Sequence, residues 1–284
     1  MKRKRIWTKF FLFILSIFVI AGCSNSESKE TDDGKKVIKV ALSDEVNPPF
    51  LYTDDQNKPI GYDMDYLAEI EKKLPEYKFE YTFGEEESNL IGVDTGKFDF
   101  AINWFFKNPE REQKFLYPEH EYGYSLTVLV TKSDRNDIKS LDDMVDKKLA
   151  PMAPSGGLRA ILNGYNEKNP DNPIEIESME NPSAADNLKR VAEGKADAVF
   201  LNKTTFDALQ KELKLDLKIG GIVSKEPVYI VYNKKHKELA EKIDKATAEL
   251  IEDGTLPKLA EKWFGVDFFK DLDYIKKEGF QYEK

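Results

Sequence analysis

The sequence predicts an α/β fold in which strands and helices alternate along most of the chain. Two patterns carry this prediction: short runs rich in β-branched residues, and stretches between them with apolar residues at helical spacing. The composition agrees, because 40% of the 284 residues are hydrophobic, as in a globular protein and unlike a disordered chain. At roughly 100–200 residues per domain, the chain has room for one or two domains.

The elements can be placed in order. The run VIKVAL is a β-rich first strand, Pro75 ends the first helix, and residues 77–83 alternate as a half-buried strand does. Strand and helix alternation further along favours mostly parallel sheets. The predicted strands are 37–42, 77–83, 98–103, 124–131, 149–153, 174–178, 196–200 and 228–232, and the predicted helices are 62–74, 90–96, 158–166, 184–193 and 237–252.

Charge and rare residues exclude several functions. The formal charge is −9, from 43 basic and 52 acidic residues, so a nucleic-acid partner is not expected. Cys23 is the only cysteine, which excludes a disulfide within the chain and a cysteine-based zinc site. His120 and His236 lie far apart without ligand-like spacing, so neither a metal nor a cofactor is predicted.

The N-terminus resembles an export and anchoring signal. Residues 2–5 are basic, and residues 10–20 are apolar apart from Ser16, too short for a comfortable membrane span. Ala21 and Gly22 then precede Cys23, as in a bacterial lipobox, so cleavage after residue 22 would leave Cys23 as a lipidated first residue. The alternative is an uncleaved anchor with a buried cysteine. Residues 23–36 follow as a flexible tether, since 24–36 contain no apolar side chain.

Signatures of catalysis are missing from the sequence. It contains no GxSxG elbow, no GxxxxGK[ST] loop and no GxGxxG fingerprint. Ser155, in the run PSGG, permits three interpretations: a nucleophile, a helix N-cap, or part of a turn whose N–H groups face an anion. No pair among the 52 carboxylates stands out as acid and base, so no catalytic residue is assigned.

Five motifs in order resemble family 3 of the bacterial solute-binding proteins, the receptors for polar amino acids in ABC importers. They extend from about residue 37 to about residue 267, nearly the whole mature chain. The motifs are NPPF at 47–50 with GYDMD at 61–65, GKFDFAINWFFKNPER at 96–111, GKADAV at 194–199, DGTL at 253–256 and EKWFG at 261–265.

The resemblance implies a two-lobe periplasmic-binding-protein-like fold of type II, whose lobes are joined by two hinge strands and close on a ligand. Residues 37–123 and 229–270 would form lobe 1, and residues 124–228 lobe 2. The chain would cross between the lobes near 123–126 and 224–229. Residues 271–284 would be a C-terminal extension without an assigned role.

The resemblance also implies a ligand-binding set. Arg111 occupies the position of an arginine that grips the ligand's α-carboxylate, and a guanidinium suits that task because it donates two parallel bonds. From the residues alone, a surface salt bridge beside Glu110 or Glu112 would be the favoured interpretation of Arg111, and the resemblance reverses that preference. Ser155 and Gly156 match a turn whose N–H groups contact the same carboxylate.

Other members of the set lie in the first lobe. Asp44 matches a polar first-strand position that faces the cleft, and Asn103 belongs to the Arg111 loop. Trp104 and Phe106 stand where the family has small residues, which predicts aromatic contact with the ligand. Alternation along the strand should bury Phe105 and direct its neighbours to the cleft, although core packing of all three rings is the alternative.

Three further positions depart from the family pattern. Asn47 and Glu87 each stand where the family has an aromatic residue, and Asn202 replaces the aspartate that receives the α-ammonium of the ligand. Asn202 can accept a hydrogen bond but cannot neutralise the ammonium, so another anion is required. Glu87 is the candidate for that anion, with simple solvent exposure as the alternative.

The predicted function is therefore that of a monomeric, lipid-anchored receptor on the outside of the cell membrane, in the manner of Gram-positive lipoproteins. The ligand would be an amino acid or small derivative with a bulky or extended side chain, and the Arg111 loop and residues 166–177 resemble the cystine-binding subgroup. Its partners would be an ABC permease and the ATPase of that permease. A ligand sensor and a dehydratase-like enzyme on the same fold are the alternatives, the enzyme needing Glu87 or Asp44 as a general acid.

Overall fold

The computed structural model describes residues 30–31, 34–44 and 47–278. The predicted signal peptide at 1–22, the lipidation site Cys23, much of the 23–36 tether and the end of the 271–284 extension lie outside these residues. Among the helices of the described part, none combines the length and apolar character needed to cross a bilayer.

The described chain alternates strands and helices, which confirms the α/β prediction. In order, the elements are β1 (Lys36–Ser43), β2 (Tyr52–Thr53), β3 (Pro59–Ile60), α1 (Tyr62–Lys73), β4 (Tyr77–Gly84), α2 (Glu86–Thr95), β5 (Phe100–Phe105), α3 (Pro109–Lys114), β6 (Gly123–Lys132), a 3₁₀ turn (Asp142–Met144), α4 (Gly157–Lys168), α5 (Ala184–Ala192), β7 (Val199–Asn202), α6 (Lys203–Leu213), β8 (Leu217–Tyr232), α7 (Lys237–Glu252), α8 (Thr255–Phe264) and α9 (Leu272–Glu278).

One six-stranded sheet holds the molecule together in the order β4-β1-β5-β8-β6-β7, and β2 and β3 form a separate hairpin. β1 is parallel to both β4 and β5, whereas β8 is antiparallel to β5 and β6, and β6 is antiparallel to β7. The expectation of mostly parallel pairing is therefore wrong beyond β5. The physical reason is that β8 lies between β5 and β6 and runs antiparallel to both, so the parallel pairing of β4, β1 and β5 ends there.

The helices follow from local sequence. In α1, Asp63 and Asp65 lie in the first turn and Lys72 and Lys73 in the last, which complements the helix dipole. α3 begins with Pro109, and the side chain of its N-cap Asn108 accepts a hydrogen bond from the Arg111 N–H at 2.8 Å. This cap fixes the direction of the short helix that carries Arg111.

The two predicted lobe crossings lie side by side. Gly123 pairs with Val228 and Leu126 pairs with Lys225 in the antiparallel ladder of β6 and β8. A Cβ at Gly123 would lie 3.1 Å from the Trp104 ring, so a side chain there would require that ring to shift. Adjacent crossing strands suit a hinge, and the assignment of lobes 37–123 with 229–270 and 124–228 stays a prediction.

Two predicted strands, 149–153 and 174–178, are wrong as strands. Leu149 bridges Ala198 and Met152 bridges Ser178, each as an isolated bridge. Pro151 lies between the two bridging residues and has no N–H to donate, so a regular ladder cannot continue through this segment. Helices α3, α6, α8 and α9 were also not predicted from spacing. The first turn of α6 holds the β-branched pair Thr204 and Thr205, and α3 and α9 have only six and seven residues.

The C-terminal segment packs against the hinge region. The Phe268 ring lies 6.1 Å from the Tyr124 ring and the Phe269 ring 5.7 Å from it. Lys225 Nζ donates a 2.8 Å hydrogen bond to the Lys270 carbonyl, and Ile275 of α9 is fully buried. The first part of the predicted extension is thus packed into the fold.

Candidate functional site

A cleft of about 380 Å³ lies where the loop after β5, helix α4, strand β7 and the hinge strands meet. Phe106 and Lys107 enter it from the loop, and Asn202 enters from the end of β7. Because several elements contribute side chains, the cleft has both apolar and polar walls. Its lining residues are Phe106, Lys107, Thr127, Gly157, Leu158, Ala160, Ile161, Asn202, Glu226, Pro227 and Tyr229.

Hydrogen bonds and one cation–π contact position the polar groups of the cleft. Thr127 Oγ1 and Ser224 Oγ share a hydrogen bond of 2.5 Å across β6 and β8. Asn202 Oδ1 accepts a hydrogen bond from Ser125 Oγ at 3.4 Å. Lys107 Nζ lies 3.8 Å from the centroid of the Tyr229 ring, a cation–π distance, and donates to the Pro118 carbonyl at 3.2 Å.

Ser155 and Gly156 line an adjoining cavity of about 240 Å³, which shares Gly157 and Leu158 with the 380 Å³ cleft. Gly156 is the N-cap of α4 at φ 99°, a conformation that strongly favours glycine. Its turn leaves the first N–H groups of α4 without helical acceptors. The structure therefore brings the predicted Ser155–Gly156 turn beside Phe106 and Asn202.

Arg111 is engaged with a carboxylate of the protein. Its Nη2 lies 2.7 Å from Glu86 Oε1, and Asn103 Nδ2 donates to Glu86 Oε2 at 2.9 Å. The guanidinium also lies 5.1 Å from the centroid of the buried Phe105 ring. The alternative of a salt bridge beside Glu110 or Glu112 named the wrong partner, and gripping a ligand would require Arg111 to exchange Glu86 for the ligand carboxylate.

Glu87 lines a different cavity, of about 370 Å³, together with Arg111 and Lys114. It therefore lies away from Asn202, the residue whose missing charge it was predicted to replace. Glu86 is the residue that the prediction missed, since Glu86 and Glu87 both lie in the first turn of α2 and no local signal separates them. The run of glutamates offers three carboxylates, and the approach of α3 to α2 decides which one meets Arg111.

Trp104 packs its ring against the protein's own aromatic side chains. Its ring centroid lies 4.3 Å from that of Phe50, 5.2 Å from that of Phe264 and 5.6 Å from that of Tyr62. Its backbone has φ 55°, and its N–H donates to the Tyr122 hydroxyl at 2.9 Å. Burial of Phe105 is confirmed, Phe106 lines the cleft, and ligand contact by Trp104 stays a prediction.

Asp63 is a buried carboxyl group next to this aromatic cluster. The Trp104 indole N–H donates to Asp63 Oδ1 at 2.9 Å, and only 2% of Asp63 is exposed. Burial raises the pKa of Asp63 from 3.8 to about 7, although hydrogen bonds from Trp104 and Tyr122 oppose the shift. The burial of Asp63 has no signal in the sequence, because an acidic residue in the first turn of a helix is ordinarily exposed.

Asp44 and Asn47 lie near the end of β1. Asp44 is exposed and lines a shallow hollow of about 280 Å³ with Tyr52 and Phe83. Asn47 closes a turn, since its carbonyl accepts hydrogen bonds from the N–H groups of Phe50 and Leu51 at 2.8 and 3.1 Å. The structure does not bring either residue into the 380 Å³ cleft.

The arrangement can bind a small amphipathic molecule. Leu158, Ile161 and Tyr229 give the cleft apolar walls that sequence analysis missed, and Glu226 adds a carboxylate. Within residues 30–31, 34–44 and 47–278, no group of three His, Cys, Asp or Glu side chains is placed to hold a metal ion.

Comparison with known proteins gives consistent matches over most of the chain. Residues 38–266 match the model for the bacterial extracellular solute-binding proteins, family 3. The L-cystine-binding protein TcyK of Bacillus subtilis (strain 168) is 29% identical over 93% of this chain and 98% of its own length. TcyJ of the same strain, also an L-cystine-binding protein, is 30% identical over 92% of this chain and 97% of its own length.

A solved structure supports the same relationship. The crystal structure of the probable amino-acid ABC transporter extracellular-binding protein ytmK from Bacillus subtilis superimposes with a TM-score of 0.71 at 29% identity. The match covers 81% of this chain and 98% of that one. The type II binding-protein fold predicted from the motifs is thereby confirmed.

Proposed function

Because the chain belongs to family 3 of the bacterial extracellular solute-binding proteins, we propose that it captures an amino acid or a small amino-acid derivative outside the cell. The captured ligand is handed to an ABC permease and the ATPase coupled to that permease. Members of this family are solute-binding receptors, so the expectation that the chain is not an enzyme is confirmed.

The observation that carries the proposal is the 380 Å³ cleft between the loop after β5 and the N-terminal part of α4. Its volume suits a ligand of small-metabolite size, since ligand pockets begin at roughly 300 Å³. Phe106 from the predicted first lobe and Asn202 from the predicted second lobe meet there. A ligand in the cleft would contact both lobes at once.

The proposed mechanism is closure around the ligand. The crossing segments 123–126 and 224–229 form the hinge, and an open form receives the ligand before the lobes approach. The ligand can favour closure only through contacts that are better in the closed form, which is why groups from both lobes matter. Arg111 lines the 370 Å³ cavity and not the cleft, so closure would have to bring the ligand carboxylate to Arg111 and displace Glu86.

Cystine is the proposed ligand. Two relatives over nine-tenths of the chain are named as L-cystine-binding proteins. Cystine is a zwitterion at each end with an extended disulfide between, and the cleft combines Lys107 and Glu226 with the apolar Leu158 and Tyr229. Such a mixture of charged and apolar walls is complementary to that ligand.

Calorimetric titration of the purified protein tests this proposal. We expect heat and a saturable isotherm with L-cystine, and weaker or absent binding with the twenty free proteinogenic amino acids. Small-angle scattering should show a smaller radius of gyration on saturation. If neither cystine nor any free amino acid produces a binding isotherm, the proposed function is wrong.

Anchoring completes the proposal. A signal at 1–22 would direct export, and lipidation of Cys23 would hold the protein as a monomer on the membrane of a Gram-positive cell through the 23–36 tether. Metabolic labelling with a radioactive fatty acid such as palmitate should mark the wild-type chain and not Cys23→Ala. Equal labelling of both chains contradicts the anchor.

Measuring the uptake of labelled cystine distinguishes a transport receptor from a ligand sensor. A deletion strain should lose accumulation of labelled cystine, and a plasmid-borne copy of this chain should restore it. Unchanged uptake together with altered gene expression would instead identify a ligand sensor.

A further inference from the structure

We propose that Glu226 is the anion that receives the ligand's ammonium group, the role that Asn202 cannot fill. The proposal rests on the proposed function, because it assigns a group within the same cleft. It replaces Glu87, which lies in another cavity.

The geometry places Glu226 and Asn202 on either side of one residue. Ser125 of β6 pairs with Glu226 of β8 in the antiparallel ladder. The Ser125 hydroxyl donates to Asn202 Oδ1 at 3.4 Å. Both Glu226 and Asn202 line the 380 Å³ cleft, so a ligand in the cleft faces the carboxylate as well as the amide.

The charges in the cleft favour a cationic group at this position. Glu226 is the only acidic residue among the lining residues and is partly buried. Over the described residues its carboxylate forms no ion pair and accepts no hydrogen bond. Lys107 is the only basic lining residue, and its ammonium group is already held by the Tyr229 ring and the Pro118 carbonyl.

A partly desolvated carboxylate without a cation is unfavourable, and a ligand ammonium would relieve that cost. The same carboxylate would repel a ligand that brings a second carboxylate to this position. A deaminated acid has no ammonium group to pair with this carboxylate, so Glu226 selects amino acids over the corresponding deaminated acids. Thr127 and Asn202 add neutral hydrogen-bonding groups that tolerate either ligand.

The test is a cycle of two proteins and two ligands. L-Cystine and 3,3′-dithiodipropionic acid, which is cystine without its amino groups, are titrated calorimetrically into wild-type protein and Glu226→Gln. We expect Glu226→Gln to lose roughly 10- to 100-fold in cystine affinity, as for a charged hydrogen bond. Its affinity for the deaminated acid should stay equal or rise.

Controls separate the possible failures. Glu252→Gln removes an exposed carboxylate at the end of α7 and should leave both affinities unchanged, and melting temperatures should verify that each variant folds. Equal losses for both ligands, or cystine affinity unchanged by Glu226→Gln, overturn the role of Glu226 while the transport function stands. A wild-type protein that binds no amino acid overturns both proposals.

Discussion

Trp104 and Asp63 are joined by a hydrogen bond of 2.9 Å from the indole N–H to a carboxyl oxygen that is buried at the start of α1. Trp104 adopts φ 55°, an uncommon backbone conformation for a large side chain. Its backbone N–H donates to the Tyr122 hydroxyl, and its ring packs against the surrounding aromatic rings. Asp63 thus fixes the loop that presents Phe106 to the cleft and Arg111 to its carboxylate partner.

The buried Asp63 makes stability depend on pH. The pKa of Asp63 is raised from 3.8 to about 7, so the folded state holds this proton more tightly than the unfolded state does. Its contribution is fully present below about pH 3.8 and is lost as the pH rises through about 7. Asp63→Asn removes this dependence, so its stability relative to wild type should increase between pH 4 and pH 7, by at most about 1.4 kcal/mol per pH unit.

Urea unfolding at a series of pH values measures this difference. Parallel curves for wild type and Asp63→Asn would contradict the prediction. Asp253→Asn is a suitable control, because the pKa of that carboxyl is lowered, chiefly by hydrogen bonds from Thr255.

Loss of the indole N–H should be costly at position 104. Trp104→Phe leaves a buried Asp63 oxygen without this donor, and we expect a loss of about 1–3 kcal/mol in the free energy of unfolding. Trp263→Phe is the matched control, since the Trp263 indole donates at 2.8 Å to Asp65, a carboxylate that is more exposed and also paired with Lys262. A larger loss for Trp263→Phe than for Trp104→Phe would refute the importance of burial.

The Glu86 carboxylate competes with a ligand for Arg111. Glu86→Gln should therefore increase cystine affinity, by about twofold to fivefold, the range of a partly exposed ion pair. Arg111→Leu should abolish measurable binding. Calorimetry checks both, with Glu110→Gln as a neutral control because Glu110 is exposed and pairs with Lys114. A decrease in affinity for Glu86→Gln would show that Glu86 orients Arg111 and does not compete with the ligand.

The C-terminal helix contributes to stability. Ile275 is fully buried, and Ile275→Ala should cost about 2–5 kcal/mol in the free energy of unfolding. Tyr274, its neighbour, is 46% exposed, and Tyr274→Ala should change stability by less than about 0.5 kcal/mol. Denaturant unfolding compares the two, and equal effects would mean that α9 is not docked in solution.

Sequence patterns predicted the elements whose signals are local. Helix α7 has the predicted bounds, because Leu239, Ile243 and Leu250 recur at helical spacing over sixteen residues. The prediction of a strand at 149–153 was wrong because Pro151 interrupts pairing with residues far away in the sequence. Strand β8 was predicted only at its end, since its first half contains Gly220 and Gly221, which approach the backbone of residues 138–139 closely.

The site could be predicted only in part. The family motifs located Phe106, Asn202 and the Ser155–Gly156 turn, which the structure brings to adjoining cavities. They could not select Glu86 as the partner of Arg111, because that choice depends on how α2 and α3 approach each other. Glu226 lies outside the motifs, and its place in the cleft depends on the pairing of β8 with β6, which the motifs do not reveal.

Strand β8 runs for sixteen residues without interruption and has neighbours on both sides, β5 toward its end and β6 along most of its length. One hydrophobic cluster continues across it, from Val40 of β1 through Ile230 to Val128 of β6. A gene fragment ending before β8 would leave exposed edges on β5 and β6 alike. The protein should therefore melt in a single cooperative transition. The part before β8, or the part that begins with β8, should aggregate when it is expressed alone.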